Sequence, residues 1–328
     1  MKKFLRNILL ISLIVLGVII IIEFALFLRP NLYSYKSQYV EAHLDDIHTL
    51  LLGNSHIERA LAPAYMDEGT FNLAISGRPE NYDVELAKMY IPRMKALENV
   101  VMPFDYTLFY LDRQVALADA GKRGVGALEE SYKCMYYKYM GIRVDGFWYW
   151  SEVLHSKLDY LNRFFKSDEA ARECDSLGYI KNELATRDHA WKNLQLPMDI
   201  DLSKPINQEI YDLLFDYYST LAALANQQHA RLIMLSTPMY ETCRARMLPE
   251  VRQEMRTFVA RLQEKYPNVT YLDYTDDPRF VDQDYFDAGH LSEYGAAKLS
   301  RILSDDIRSQ RGQTPLCSGV SNENYSML

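Results

Sequence analysis

Two short segments, far apart in the chain, carry side chains able to do nucleophilic chemistry together. The first closes an apolar run and reads Leu52-Gly53-Asn54-Ser55-His56. The second reads Asp287-Ala288-Gly289-His290-Leu291-Ser292, with Gly295 just beyond. A serine hydroxyl is a weak nucleophile at neutral pH until a neighbouring base takes its proton. His290 is the candidate base. Asp287, three residues before it in a turn, can accept from the imidazole, fix its tautomer and stabilise the imidazolium. Such a site is defined by roles and geometry, not by chain order. The carbonyl under attack develops negative charge on oxygen. Backbone N–H groups at Ser55 and Gly77 are candidates to meet it, each such donor being worth about 3–4 kcal/mol. The turn residue Asn54 and the acidic Asp105 are further candidates for that pocket. His56 is expected to cap or pack. A histidine base also predicts activity that fails in acid.

These residues need elements that bring them to one place. Short apolar runs at 48–52, 71–75, 100–103, 231–235 and 269–273 read as buried strands of a parallel sheet. Helical patterns occupy 81–97 (with a kink expected at Pro92), 207–228, 247–266 and 291–307. Strands alternating with helices predict an α/β domain. Ligands of open α/β sheets bind at the carboxyl ends of the strands. Ser55, Gly77, Asp105, then Thr237 with Tyr240, and finally Asp287 with His290 follow the five runs in turn. All are therefore expected on one rim.

The rhythm breaks between about 106 and 205, a stretch rich in Tyr, Trp and charge with helical spacing over 150–165. It reads as an inserted helical subdomain. Its aromatics, such as Tyr136, Tyr137, Phe147 and Trp148, are expected to pack. Residues 31–45 read as a polar, Tyr-rich connector, and residues 311–328 as a disordered polar tail.

The 328 residues are 48% hydrophobic and 24% charged, enough for a sizeable core, and the net charge is -8. That balance argues against nucleic acid, whose phosphates need a basic footprint. Lys2, Lys3 and Arg6 precede an apolar stretch from Ile8 to Leu28, interrupted by Ser12 and Glu23. Its length matches the roughly 20 residues that cross a bilayer as a helix. A cleaved signal peptide would have a shorter apolar core and a small-residue cleavage site, and Phe24 to Pro30 offers no good one. Residues 1–30 therefore read as a short cytoplasmic stub and an uncleaved anchor, with the rest of the chain outside by the positive-inside rule. Glu23 is expected near the outer interface. Cys134, Cys174, Cys243 and Cys317 have no metal-ligand spacing and no readable pairing. Gly53 lies in no phosphate-loop or dinucleotide fingerprint, so neither a metal nor a cofactor is expected.

Taken together, the motifs resemble those of the SGNH (GDSL-type) hydrolases. Gly53-Asn54-Ser55 stands where that family has Gly-Asp-Ser. Asn72-Leu73-Ala74-Ile75-Ser76-Gly77 is similar to its second block, whose glycine N–H serves the oxyanion hole. Asp287 and His290 match the closing Asp-x-x-His, with Leu291, Ser292 and Gly295 also typical. The third block, normally Gly-x-Asn-Asp, departs: Met102-Pro103-Phe104-Asp105-Tyr106 has no asparagine, and an ionised Asp105 cannot donate. The resemblance covers roughly 43–105 and 207–307 within an α/β domain of 43–310. It implies a flavodoxin-like three-layer sandwich with a five-stranded parallel sheet. Anchored proteins of this shape resemble those that add or remove acyl groups on envelope polymers, often beside a multi-span membrane O-acyltransferase. The implied activity is acyl-ester hydrolysis or O-acyl transfer on an envelope glycan or lipid through an acyl-serine. The alternative is an inactive scaffold or binding protein that partners such an acyltransferase.

Overall fold

The structure is a computed structural model that describes residues 1–109, 126–143, 147–155, 159–193 and 206–311. The polar tail lies outside these residues, apart from Arg311, as does part of the 106–205 stretch.

Five strands form one all-parallel sheet: β1 (Thr49–Leu51), β2 (Thr70–Asn72), β3 (Asn99–Pro103), β4 (Arg231–Ser236) and β5 (Val269–Asp273). Their spatial order is β2-β1-β3-β4-β5, the flavodoxin-like order. Apart from end residues such as Thr49, Asn99, Pro103, Arg231 and Ser236, the interior strands are Val, Ile, Leu and Met on both faces, as a sheet covered on both sides requires. Leu50, Leu51, Val100, Val101, Leu232 and Ile233 are fully buried. β2 is shorter than its apolar run, yet Leu73 and Ile75 still donate backbone bonds to Leu51 and Gly53. The chain beyond β2 therefore stays alongside β1 up to the rim.

Connections between parallel strands are right-handed. The step from β1 to β2 runs opposite to the later steps, so its helix, α3 (Ser55–Glu58), lies on one face. Helices α4 (Glu80–Tyr90), α6 (Gln208–Gln227) and α7 (Pro249–Lys265) lie together on the other, where α6 touches both α4 and α7. The helix pattern at 81–97 ends early. Pro92 cannot continue the ladder, so α4 stops at Tyr90 and a 3-10 turn carries Ile91–Arg93. The last helix, α8 (Glu293–Arg311), returns beneath β1 and β2: Ser300 accepts from the Ala62 N–H at 2.8 Å and Ser304 bonds Asp67 at 3.0 Å.

The stretch expected as a connector is instead a helix, α2 (Leu32–Ala42), started by a reciprocal Asn31–Ser34 capping box. It brings Lys36 into the interior, fully buried. Beyond β3 stands α5 (Gly126–Met140), which packs on α2. Tyr136 sits edge-on to Tyr33 at 5.1 Å and against Tyr82 at 4.6 Å. The helix expected over 150–165 is broken into single turns at Glu152–His155, Asp159–Leu161 and Asn162–Phe165. Phe147 and Trp148 have side chains outside the described set. Cys134, Cys174 and Cys243 are buried free thiols.

α1 (Lys2–Phe27) is long and apolar enough to cross a membrane, and its apolar side chains are largely exposed. Its far end is not free. Glu23 accepts from Lys138 Nζ at 2.6 Å, Ser151 Oγ at 2.7 Å and the Val153 N–H at 2.9 Å. Glu152 bonds the same lysine at 3.0 Å and pairs with Arg163. A buried carboxylate needs such partners.

β1 ends at a tight passage. Gly53 has φ +114°, and a Cβ there would stand 2.3 Å from the Pro103 ring. Gly53→Ala is expected to cost about 2–4 kcal/mol from the combined strain and clash. Urea denaturation of the purified full-length protein, read by tryptophan fluorescence, checks this; an unchanged midpoint would show that the turn can relax.

Candidate functional site

The turn after β1 is fixed from three sides before it presents Ser55. The Gly53 N–H donates to Asp83 Oδ1 at 2.9 Å. Asp83 forms a buried ion pair with Arg78 at 2.7 Å, and Arg78 donates to the Leu73 carbonyl at 2.9 Å. Asn54 then caps α3, its side-chain oxygen accepting the His56 N–H at 2.9 Å. Ser55 is the first helical residue. α3 is a single turn, so its dipole adds little at the serine.

Ser55 Oγ lies 2.9 Å from His290 Nε2. On the other side of the ring, His290 Nδ1 lies 2.9 Å and 3.0 Å from the two Asp287 oxygens. A carboxylate at Nδ1 means that Nδ1 carries the proton, leaving Nε2 to accept from the serine. Asp287 also accepts the Gly289 and His290 N–H groups, both at 2.8 Å. Burial opposes its ionisation. The bonds from the His290 ring and from the two backbone N–H groups outweigh that and hold the carboxyl below its ordinary value.

The loop that carries His290 is clamped. The Tyr240 N–H, after β4, donates to the Ala288 carbonyl at 3.0 Å, and Tyr285 and Leu291 form an isolated antiparallel bridge. Ser292 donates to the Gln283 carbonyl at 2.7 Å. A Cβ on Gly295 would stand 2.0 Å from the Asp284 carbonyl oxygen, so the start of α8 can close on this loop only with glycine. Asn182 ties the loop to α3: it donates to the Leu291 carbonyl at 3.0 Å and accepts from Arg59 at 2.7 Å.

Gly77 follows β2 on a turn with φ +74°, and nothing lies within 4 Å of where its Cβ would be. Ser76 beside it is held by Glu58, which accepts both the Ser76 N–H at 2.9 Å and its hydroxyl. Glu58 is fully buried, as is its partner Lys36 at 3.5 Å, and Lys36 also donates to the Ala74 carbonyl. Burial pushes the Lys36 ammonium below its ordinary value, against the pull of Glu58. Among the described residues, the Ser55 and Gly77 N–H groups make no hydrogen bond. Two unused donors thus remain at the ends of β1 and β2.

Asp105 is placed differently from the other pocket candidates. It is buried, and its Oδ2 lies 2.5 Å from Nδ1 of His56. The His56 ring stands edge-on to His290 with centroids 5.0 Å apart. Asn54 points its oxygen inward as the cap. Of the residues singled out from sequence, Ser55, His290 and Asp287 meet directly, with Asp105 a neighbour through His56. Thr237 is buried, and Tyr240 acts through its backbone. Lys36, Glu58, Arg78, Asp83 and Asn182 are supports that sequence reading missed. Lone charged residues inside apolar or mixed stretches were the only signal. Among the described residues no cluster suits a metal ion.

No family model matches the sequence, and no curated protein matches it. Among solved structures, the chain is similar to a GDSL-like lipase from Bacteroides thetaiotaomicron at 12% identity and a TM-score of 0.39, covering 85% of this chain and 99% of that one. It is similar to a candidate acylhydrolase from Bacteroides fragilis at 10% identity and a TM-score of 0.39, covering 84% and 94%. It is also similar to the lipase Lip_vut3 from a goat rumen metagenome at 8% identity and a TM-score of 0.37, covering 80% and 96%.

The depressed Asp287 carboxyl has a consequence for acid stability. A group whose folded value lies below its unfolded one stabilises the fold above the unfolded value, about 3.9, and that stability is lost as pH falls through the folded value. Asp287→Asn removes the titrating group. The wild type is therefore expected to lose more stability than the variant between about pH 5 and pH 3. Thermal melts of both across that window test it; parallel curves would refute the linkage.

Proposed function

We propose that the protein is a serine-dependent acyl-ester hydrolase or O-acyltransferase, acting on a cell-envelope glycan or lipid through an acyl-Ser55 intermediate. The observation that carries this reading is the unbroken hydrogen-bonded line from Ser55 through His290 to Asp287. Its members come from the loops after the first and last strands.

In the forward step His290 Nε2 takes the proton of Ser55 as Oγ attacks the carbonyl carbon. The carbonyl π electrons move to oxygen, and the unused N–H groups of Ser55 and Gly77 are the donors available to that charge. Collapse expels the alcohol, which leaves with the proton from His290. A second alcohol or water, deprotonated by the same histidine, then takes the acyl group. Asp287 stabilises the imidazolium each time it forms.

The resemblance of the Gly53-Asn54-Ser55 and Asp287-x-x-His290 blocks to SGNH hydrolases supports the same chemistry. The intact serine–histidine contact favours an enzyme over an inactive scaffold beside a membrane acyltransferase. An envelope substrate fits an external domain held by α1. The Glu23 network supports an uncleaved anchor, because removal of α1 would strip Lys138, Ser151 and Val153 of their shared partner.

A fluorophosphonate probe on the full-length protein in detergent tests the reaction. Mass spectrometry is expected to find the adduct on Ser55, and turnover of a short-chain nitrophenyl ester is expected to fall by at least about 1000-fold in Ser55→Ala and His290→Ala. A folded wild type that takes no label would sink the proposal. The anchor has a separate check: after an alkaline carbonate wash the protein should stay with the membrane and keep residues 1–30. A soluble product that starts beyond Ala25 would rule the anchor out.

A further inference from the structure

We infer that the turns around 152–166 form a second membrane contact: Leu154, Leu161, Phe164 and Phe165 dip into the surface of the bilayer that α1 crosses, so that the domain is seated on the lipid rather than tethered above it. The inference rests on the reading of α1 as an uncleaved anchor and extends it from the helix to the folded part.

The four side chains form an unusual group. Outside α1, half of the exposed large apolar side chains among the described residues fall within 154–165, and the others are scattered. Phe165 is 87% exposed and Leu154 60%. Single exposed apolar residues are ordinary, but a group of them marks a surface that meets something apolar. Short turns at Glu152–His155, Asp159–Leu161 and Asn162–Phe165 carry the group.

The bonds of these turns fix their height against α1. The Val153 N–H, next to Leu154, donates to Glu23 at 2.9 Å. Arg29, just past the helix, donates to the Arg163 carbonyl at 3.1 Å and to the Lys166 carbonyl at 2.6 Å, on either side of Phe164 and Phe165. The patch is thus held at the level of residues 23–29. That level is the end of the membrane span. Between Arg6 and Glu23 lie 16 residues, about 24 Å of helix, less than the hydrocarbon core of roughly 30 Å. The apolar surface of α1 accordingly continues past Glu23, where Phe24, Phe27 and Leu28 are all more than half exposed. Elements bonded at that level stand beside lipid, and exposed Leu and Phe there are in the place where apolar side chains enter the boundary between headgroups and acyl chains.

Glu23 fits the same arrangement. A carboxylate on that part of a spanning helix is costly against lipid and needs partners. Lys138, Ser151 and Val153 cover it and leave it 5% exposed, so the folded part meets α1 within the span and no free linker separates them. Arg29 and Lys166 at the edge of the patch are cations with long apolar stems, which suit headgroup height. A cavity of about 440 Å³ lies behind the patch. Asn162, Arg163 and Lys166 line one part of it, and Arg59 and Ser76 another. Seating the patch therefore also sets the distance between the bilayer and the turn that carries Gly77.

Spin labels in full-length protein, reconstituted in phosphatidylcholine vesicles, test the contact. Leu154→Cys and Phe165→Cys are made in a Cys317→Ser background, in which Cys134, Cys174 and Cys243 stay buried. Phe24→Cys on α1 and the exposed Tyr294→Cys on α8 are the references. Each label is exposed to oxygen, which concentrates in lipid, and to a water-soluble nickel chelate. The ratio of oxygen to nickel relaxation at Leu154 and Phe165 is expected to exceed that at Tyr294 several-fold and to approach that at Phe24. With Phe24 in lipid, a ratio at either site equal to that at Tyr294 would overturn the inference and leave the anchor standing. A label sheltered from both reagents would mean that a second copy of the chain covers the face, and would overturn it too. An aqueous label at Phe24 would refute the anchor and the seat together.

Discussion

The structure turns on one reach across the sheet. Ser55 follows β1, and His290 follows β5, three strands away in the order β2-β1-β3-β4-β5. Strands lie about 4.8 Å apart, so the two loops begin roughly 14 Å from each other. A 2.9 Å contact between their side chains exists only because the chain after β5 crosses the carboxyl ends of β4 and β3 before turning into α8. Most supports around the site serve that crossing. Tyr240 holds it from the end of β4, the Tyr285–Leu291 bridge stiffens it, and Gly295 lets α8 close against Asp284. Asn182, from beyond the sheet, pins its far end.

A second constraint is buried charge. Two ion pairs, Arg78 with Asp83 and Lys36 with Glu58, lie beneath the rim, and a third buried contact joins His56 to Asp105. Each ends on a backbone or side-chain group of a turn. Asp83 takes the Gly53 N–H, Glu58 takes Ser76, and His56 stands beside Ser55. Buried pairs are poor sources of net stability, and well-packed apolar residues often do as well. Their value here is directional. A charge without its partner is expensive, so each turn is confined to one geometry. A reactive serine requires that confinement, since small misplacements of reacting atoms cost large factors in rate.

The N-terminal helix enters the same logic. Glu23 lies at the end of α1, yet it is bonded into the folded part through Lys138, Ser151 and Val153. α1 is thus joined to the rest by more than a linker. With α2 carrying Lys36 to Glu58, a continuous path of contacts runs from α1 and its neighbours to the turn that holds Gly77.

Much of this was legible from residue types alone. Apolar runs of the right length marked the five strands, because a sheet covered on both faces needs them, and Gly53 at the first run end, with Asp-x-x-His in the loop after the last, marked the rim. Ser55, Asp287 and His290 could be named together because nucleophilic chemistry needs those three types. The apolar stretch of α1 likewise follows from local composition. What sequence could not decide were the pairings of charged residues. Lys36, Glu58, Arg78, Asp83 and Glu23 look like ordinary solvated charges in a linear reading, and only burial makes each dependent on a partner distant in the chain. Asp105 shows the limit well: its type suggested a place in the pocket, and the fold gave it to His56 instead. Local periodicity is encoded within a few residues, whereas the desolvation that turns a charge into a structural requirement exists only once the chain has closed around it.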